Sequence, residues 1–354
     1  MPERALPPPD PLPEPGCPKH MVYGPCGGVR PGGACEVGGV PCPFVGTAPA
    51  RYLGPEAARS PTPPPQRPLV LVDARPREAT LAAAAAIGRA HAGWCDAVLV
   101  GEHHDDVDLP GSLIALAARH EGTPAWVTVA CRDRNSVALE AELAACRAAE
   151  VEVVHCVTGD MRAPHVRPGT TPVFELDAIR LTRLATSLGL AVSVAESPLA
   201  EPTDHRPGRA ADKARAGARW CIVNLGVTPE QLQRFVDHTR SAGGADLRFV
   251  ACVAAFTDEE GARRLGRLPG VGLDPAAVQR VLEAPRPLAA GIEHAVEQAR
   301  AFLSVDGVCG VDLSGPASTA SEGDRVAVMR AIAERLRTEP AGHAAGRAHD
   351  GATA

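Results

Sequence analysis

Aromatic residues are scarce, at 3% of 354 residues, so any core must be filled by Ala, Val and Leu rather than by stacked rings. No stretch approaches the roughly 18 consecutive apolar residues that a membrane-spanning helix needs. Met1-Pro-Glu-Arg-Ala-Leu-Pro-Pro-Pro9 lacks the apolar heart of a signal peptide. Neither a membrane nor export is therefore expected. The eleven cysteines are expected to be thiols and ligands in a cytoplasmic setting, not disulfides. Basic charge is not in excess: the net charge is −6 and Lys and Arg are dispersed, which leaves no electrostatic footprint for nucleic acid. No Gly-x-Gly-x-x-Gly follows the first apolar run, which argues against a Rossmann sheet.

What is present is a regular alternation. Apolar runs of four to seven residues begin near Leu69, Ala97, Ala125, Glu152, Leu190, Arg219, Leu247 and Gly307, each followed by helical spacing such as Ser136 to Ala149 or Pro229 to Ser241. The runs are continuous rather than alternating, as expected of strands covered on both faces. Thr228-Pro229-Glu230 and Asp258-Glu259 read as helix starts. Eight such units predict a (β/α)8 TIM barrel over 69–337, since a barrel of this kind takes about 250 residues. Around it the composition predicts a disordered Pro-rich segment at 1–16, a four-Cys metal module at 17–53, a Pro-rich linker at 54–68 and a disordered tail at 338–354.

Active sites of such barrels sit at the C-terminal ends of the strands. The polar residues placed there are Asp73, the run Glu102-His103-His104-Asp105-Asp106, Arg132-Asp133-Arg134-Asn135, Thr158-Gly159-Asp160, Glu196, Asn224 and Asp312. The run at 102–106 reads as a solvated loop, because adjacent residues on an extended chain point apart and cannot easily share one ion. Asn135 suits a helix cap, and Arg132 and Arg134 suit an anion such as a carboxylate or pyrophosphate. Gly159 allows a tight turn after the strand and sets Asp160 at the mouth.

Cys17, Cys26, Cys35 and Cys42 lie at spacings of nine, nine and seven, which is not a Cys-x-x-Cys arrangement. Four thiolates in one Gly-rich segment still suit a tetrahedral site, and zinc or a 4Fe–4S iron–sulfur cluster would accept them. The other seven cysteines read as small buried residues.

Two stretches resemble one family. Cys131-Arg-Asp-Arg-Asn135, a helix, and then Val157-Thr-Gly-Asp160 resemble the third and fourth barrel units of methylenetetrahydrofolate reductases. Lys213-Ala-Arg-Ala-Gly-Ala218 resembles the family's Lys-x-x-Ala-Gly-Ala element. Cys17-Pro-Lys, Gly24-Pro-Cys-Gly-Gly28, Cys35-Glu-Val37 and Pro41-Cys42 resemble a cysteine-rich module associated with such reductases, usually met after the barrel or on a partner chain. The resemblance implies reduction of 5,10-methylenetetrahydrofolate to 5-methyltetrahydrofolate, in the one-carbon metabolism that feeds methionine biosynthesis. The hydride would come from NAD(P)H, with or without FAD as carrier. It makes Asp160 the carboxylate that stabilises the folate cation. Asp73 stands where the family has a Glu acting as general acid, and Asn224 where it has a pterin-contacting Gln. Arg132, Arg134, Gly159, Asp160 and Lys213 become cofactor contacts. Leu199-Ala-Glu-Pro202 replaces the family's His-Pro-Glu element of the flavin site. The same scaffold would also suit a non-redox folate-binding or accessory subunit, or a folate or corrinoid methyltransferase. A homo-oligomer or a redox partner subunit is compatible with each reading.

Overall fold

The computed structural model describes residues 11–54, 56, 67–102, 107–161, 167, 169–267 and 272–338. Eight parallel strands close into a barrel in chain order. They are β1 Leu69–Ala74, β2 Ala97–Val100, β3 Ala125–Ala130, β4 Val153–Val157, β5 Val192–Glu196, β6 Trp220–Val223, β7 Arg248–Phe256 and β8 Val308–Ala317. Around them run α1 Leu81–His91, α2 Gly111–His120, α3 Ser136–Ala148, α4 Ala178–Ser187, α5 Arg206–Arg215, α6 Pro229–Ser241, α7 Glu259–Gly266, α8 Pro275–Leu282, α9 Pro287–Leu303 and α10 Glu322–Thr338. The (β/α)8 expectation therefore holds, and most strands begin within two residues of the expected position. The expected positions of the 102–106 run (apart from Glu102), of much of the 54–68 linker and of nearly all of the 338–354 tail lie outside the described residues.

Local chemistry explains several boundaries. The Thr228 side chain accepts from Gln231 N while Gln231 reaches back to the Thr228 amide, a complete capping box with Pro229 in the first turn. Asn135 caps α3 through Ala138 N, and Asp258 caps α7 through Gly261 N. The last two strands are longer than their apolar runs suggest. β8 continues to Ala317, so Asp312 lies in mid-strand and not at a strand end.

The two-residue period of a strand divides the core into two parts. Val70, Val72, Val98, Val127, Val129, Val154, Val192 and Val194 belong to the layer between barrel and helices. Leu71, Leu99, Trp126, Val153, Trp220, Ile222, Val250 and Cys252 fill the barrel interior. Trp126 and Trp220 meet there with ring centroids 5.3 Å apart. Continuing the inward parity toward the C-terminal ends gives Asp73, Gly101, Thr128, Ala130, His155, Val157, Ala195, Asn224, Asp312 and Ser314. The interior thus turns from apolar to polar along its axis.

The N-terminal segment packs against this polar end. Val22, Tyr23 and Tyr52 form one buried cluster with Ile179 of α4 and Ala216 after α5. Tyr23 and Tyr52 stand edge to face at 5.5 Å. The segment has only a small apolar cluster of its own, Met21, Val29, Cys42 and Phe44, and adds to it by packing on the barrel surface. The arginines of α5 hold its backbone: Arg206 donates to Pro25 O at 3.2 Å, and Arg209 donates to Tyr23 O and Gly24 O at 2.8 and 2.9 Å. Val22 N donates in turn to the Asp177 carboxylate at 3.3 Å. Among the described residues no helix is long and apolar enough to cross a membrane.

Candidate active site

A cavity of about 480 Å³ occupies the polar end of the barrel, within the range of small-molecule sites. Asp73, Gly159, Asp160, Arg132, Lys213 and Asn224 all line it. Five residues at strand ends and Lys213 from α5 thus meet, up to 151 positions apart in sequence. Arg134 does not line it.

The β4 turn is built for close approach. Gly159 has φ +99°, and a Cβ there would stand 2.9 Å from the Arg132 Cβ, so only glycine fits. Arg132 donates to the Asp160 carbonyl at 2.7 Å, and its Nε and Nη2 grip Asp133 at 2.8–3.0 Å. The Asp160 side chain stays exposed at the mouth. Asn224 donates from Nδ2 to Ser197 Oγ at 2.7 Å and is likewise exposed.

The other cations expected to meet a cofactor are also held by carboxylates. Arg134 pairs with Glu102. Lys213, nearly buried, donates to Ala195 O at 2.5 Å and to Glu196 at 2.7 Å. Glu196 also meets Arg206 at 3.4 Å. Burial pushes the Glu196 carboxyl up, but Lys213, Arg206 and Arg209 outweigh it and hold it at about 2. Glu102, expected on a solvated loop, instead lines the cavity and accepts from Ala130 N at 3.2 Å. Burial raises its carboxyl against the pull of Arg134.

Two inward residues of β4 and β8 carry further chemistry. His155 bonds Ser193 Oγ at 2.8 Å, and burial followed by the Lys213 charge lowers its ring to about 3, so it is neutral. Asp312 is 1% exposed, and burial, with the charge of Asp73 next, lifts it well above the ordinary carboxylate range. Burial raises Asp73 to about 6, against a hydrogen bond to Ser314 and the Arg325 charge. Both groups bind protons more tightly folded than unfolded. Their ionisation therefore opposes folding: for Asp73 the cost is complete above about pH 6, for Asp312 it goes on growing at higher pH, and both costs fade as the pH falls toward the ordinary value of 3.8.

The N-terminal segment supplies part of the wall: Lys19, Cys26, Gly27 and Gly28 line the same cavity. Lys19 is 1% exposed, donates to Gly159 O at 2.6 Å, pairs with Glu36 and lies 5.4 Å from the Phe174 ring centroid. In sequence Lys19 stands out only as the last residue of the Cys17-Pro-Lys motif, and its role could not be read because its partners are 140 and 17 residues away. His155 and Asp312 did have one: each is a polar residue inside an apolar strand, on the parity of the barrel interior.

Cys17 and Cys26 pack beside Cys42 with Met21, Val29 and Phe44. Cys35 lies close enough for its charge to act on both Cys17 and Cys42. All four thiols are free. The donor set is thus gathered in one place, although among the described residues no three His, Cys, Asp or Glu side chains already form a metal-binding group. Of the seven remaining cysteines six are buried, and Cys309 is half-buried.

A closed parallel barrel with a polar, carboxylate-bearing mouth at the strand C-termini defines an enzyme-like TIM-barrel class. Within it the particular family is shown by sequence: the model of the methylenetetrahydrofolate reductase family matches residues 82–313, and the chain belongs to that family. No curated protein matches the sequence significantly. Among solved structures, one similar chain is described as an uncharacterized protein from Clostridium thermocellum that binds two copies of 5-methyl-5,6,7,8-tetrahydrofolic acid. Its TM-score is 0.53 at 8% identity, over 76% of this chain and 96% of that one. Another is a 2,3-dimethylmalate lyase of the PEP mutase/isocitrate lyase superfamily, with TM-score 0.43 and 14% identity over 77% of this chain and 82% of that one. Likenesses at such identities concern the fold.

Proposed function

We propose that this chain binds a reduced folate in the barrel mouth and reduces 5,10-methylenetetrahydrofolate to 5-methyltetrahydrofolate with NAD(P)H, within cytoplasmic one-carbon metabolism. The observation that carries the reading is the convergence of Asp73, Asp160 and Asn224 on one cavity. Family membership supports it, and so does the 5-methyltetrahydrofolic acid described for the Clostridium thermocellum protein.

The reaction consumes one hydride and one proton. The bridging carbon must leave one folate nitrogen to become a reactive iminium, and the departing nitrogen must be protonated. Asp73 is the proton source, since a group poised near 6 still carries its proton part of the time at neutral pH. Asp160 sets a carboxylate against the iminium, where the walled cavity strengthens the pairing. Asn224 offers the donor and acceptor that a pterin amide edge requires. Neutral His155 adds no competing positive charge.

The flavin fares differently. Arg132, Arg134 and Lys213 are each held by a carboxylate already, so none offers an uncommitted charge to a diphosphate. The residues present do not fit that group, and in this proposal the hydride passes from the nicotinamide directly. The same pairing favours a second reading, in which the barrel binds folate without reducing it. Anaerobic turnover of 5,10-methylenetetrahydrofolate with NADH or NADPH, with and without FAD, decides. Product without FAD is the expected result. Product only with FAD would restore the flavin, and tight folate binding with no product would favour the non-redox reading.

The four thiols suit zinc or an iron–sulfur cluster, which would brace the segment rather than take part in hydride transfer. Cys17, Cys26, Cys35 and Cys42 would hold it. Cys26→Ser is expected to lose the metal, measured by elemental analysis of the purified protein, and to weaken folate binding because Cys26 also lines the cavity. Unchanged metal content would exclude the four-thiolate site.

A further inference from the structure

Strand register brings two carboxyls together at the cavity floor. Asp312 of β8 pairs with Leu71 of β1, so Ser314 and Asp73 stand one step further on in the same inward rows. Ser314 Oγ is hydrogen-bonded to Asp312 Oδ2 at 3.0 Å and also to the Asp73 carboxyl. Cys252 of β7 places its Sγ 3.6 Å from the same Oδ2. The other oxygen, Asp312 Oδ1, is buried without a hydrogen-bond partner, on a residue that lines the cavity and is 1% exposed.

Donor counting fixes what this arrangement needs. A serine hydroxyl has one hydrogen and can donate to only one carboxyl at a time. Its bond to the other must run the opposite way, from a protonated carboxyl to Oγ. Two ionised carboxylates around one hydroxyl would leave that second contact repulsive, and the positive group acting on Asp73 is Arg325 of α10, which donates to the Asp73 backbone carbonyl at 3.2 Å. Such a pair titrates as a unit rather than as two independent acids.

We propose that Asp73 and Asp312 form one proton-holding pair bridged by the Ser314 hydroxyl, in which Asp312 stores the proton that Asp73 delivers to substrate. The inference rests on the reductase reading for its substrate and extends it to a residue outside the motifs. Ser314 passes the Asp312 proton to Asp73, which gives it to the folate nitrogen as that nitrogen's bond to the bridging carbon breaks. The nicotinamide hydride completes the methyl group, and solvent returns one proton to the pair. Asp312 is thus a positioning residue acting through Asp73, and its unpartnered Oδ1 is the face at which a ligand N–H or a water would enter.

The test uses the full chain and Asp312→Asn, which keeps the shape and removes the store. At about pH 7.5 the infrared difference between the two proteins should contain the carbonyl stretch of one un-ionised carboxylic acid, present in the parent and absent in the variant. This readout does not depend on turnover. In kcat/KM profiles the alkaline limb should fall to about pH 6, the value of Asp73. That corresponds to a loss of about 30-fold near pH 7.5 and little loss at acid pH. Ser314→Ala, which leaves both carboxyls, should retain the acid band but share the loss at neutral pH. A parent lacking the band would overturn the pair while leaving the reductase reading intact. A band lost in Asp312→Asn, with no folate turnover in the parent, would keep the pair and remove the reductase reading. An unshifted kcat/KM profile in an active Asp312→Asn protein would exclude Asp312 from proton delivery.

Discussion

Asp160→Asn is expected to lower kcat by about 10²–10³-fold, the usual consequence of removing one preorganised electrostatic partner of a developing charge. The substitution is isosteric, and the side chain is exposed at the mouth, so stability should stay within about 0.5 kcal/mol. The contact that holds the turn, Arg132 to the Asp160 carbonyl at 2.7 Å, is made by the backbone and survives the change. Single-turnover hydride transfer together with thermal unfolding separates the two effects. A near-normal rate with an unchanged melting curve would remove Asp160 from the chemistry. A large loss of stability would show that the turn, and not the charge, had been disturbed.

Lys19→Met is expected to be the most destabilising single change in the N-terminal segment. Lys19 and Glu36 form a buried pair, at 1% and 6% exposure. Removing the ammonium leaves the carboxylate with its principal counter-charge gone, a loss of about 3–5 kcal/mol for pairs of this kind. Because the segment has only a small core of its own and is docked on the barrel, the loss should appear as faster amide exchange across residues 17–53 before the barrel unfolds. The same variant frees Gly159 O from its 2.6 Å bond and loosens the turn that carries Asp160. Folate affinity should fall together with segment protection. The double variant Lys19→Met/Glu36→Gln should recover much of the stability but not the affinity, because the bond to Gly159 remains absent. Full exchange protection in Lys19→Met would contradict this account.

The reading of the barrel came from repetition. Eight apolar runs with helical spacing between them have few alternative foldings, and helix starts at Thr228 and Asp258 follow from hydrogen bonds made within four residues. The places where Asp73, Asp160 and Asn224 would sit could be read for the same reason, since the end of an apolar run marks the mouth. Partners could not be read. Arg132 is held by its own neighbour Asp133, but Arg134 meets its carboxylate, Glu102, only once the β2 and β3 ends are side by side. Glu102 reads as loop surface because it opens a run of polar residues and follows Val98 and Val100 in parity, not the inward-facing Leu99 and Gly101.

By itself, the sequence determined the strand–helix period, the polar strand ends and the gathering of four cysteines in one short segment, because these depend on local spacing and composition. Only the tertiary structure decided that the segment walls the cavity, that Lys19 ties it to Gly159, and that Asp73 and Asp312 share Ser314. Each of those depends on the closed barrel, which brings β1 beside β8 and gives Lys19 its place over the end of β4, across separations that no local pattern encodes.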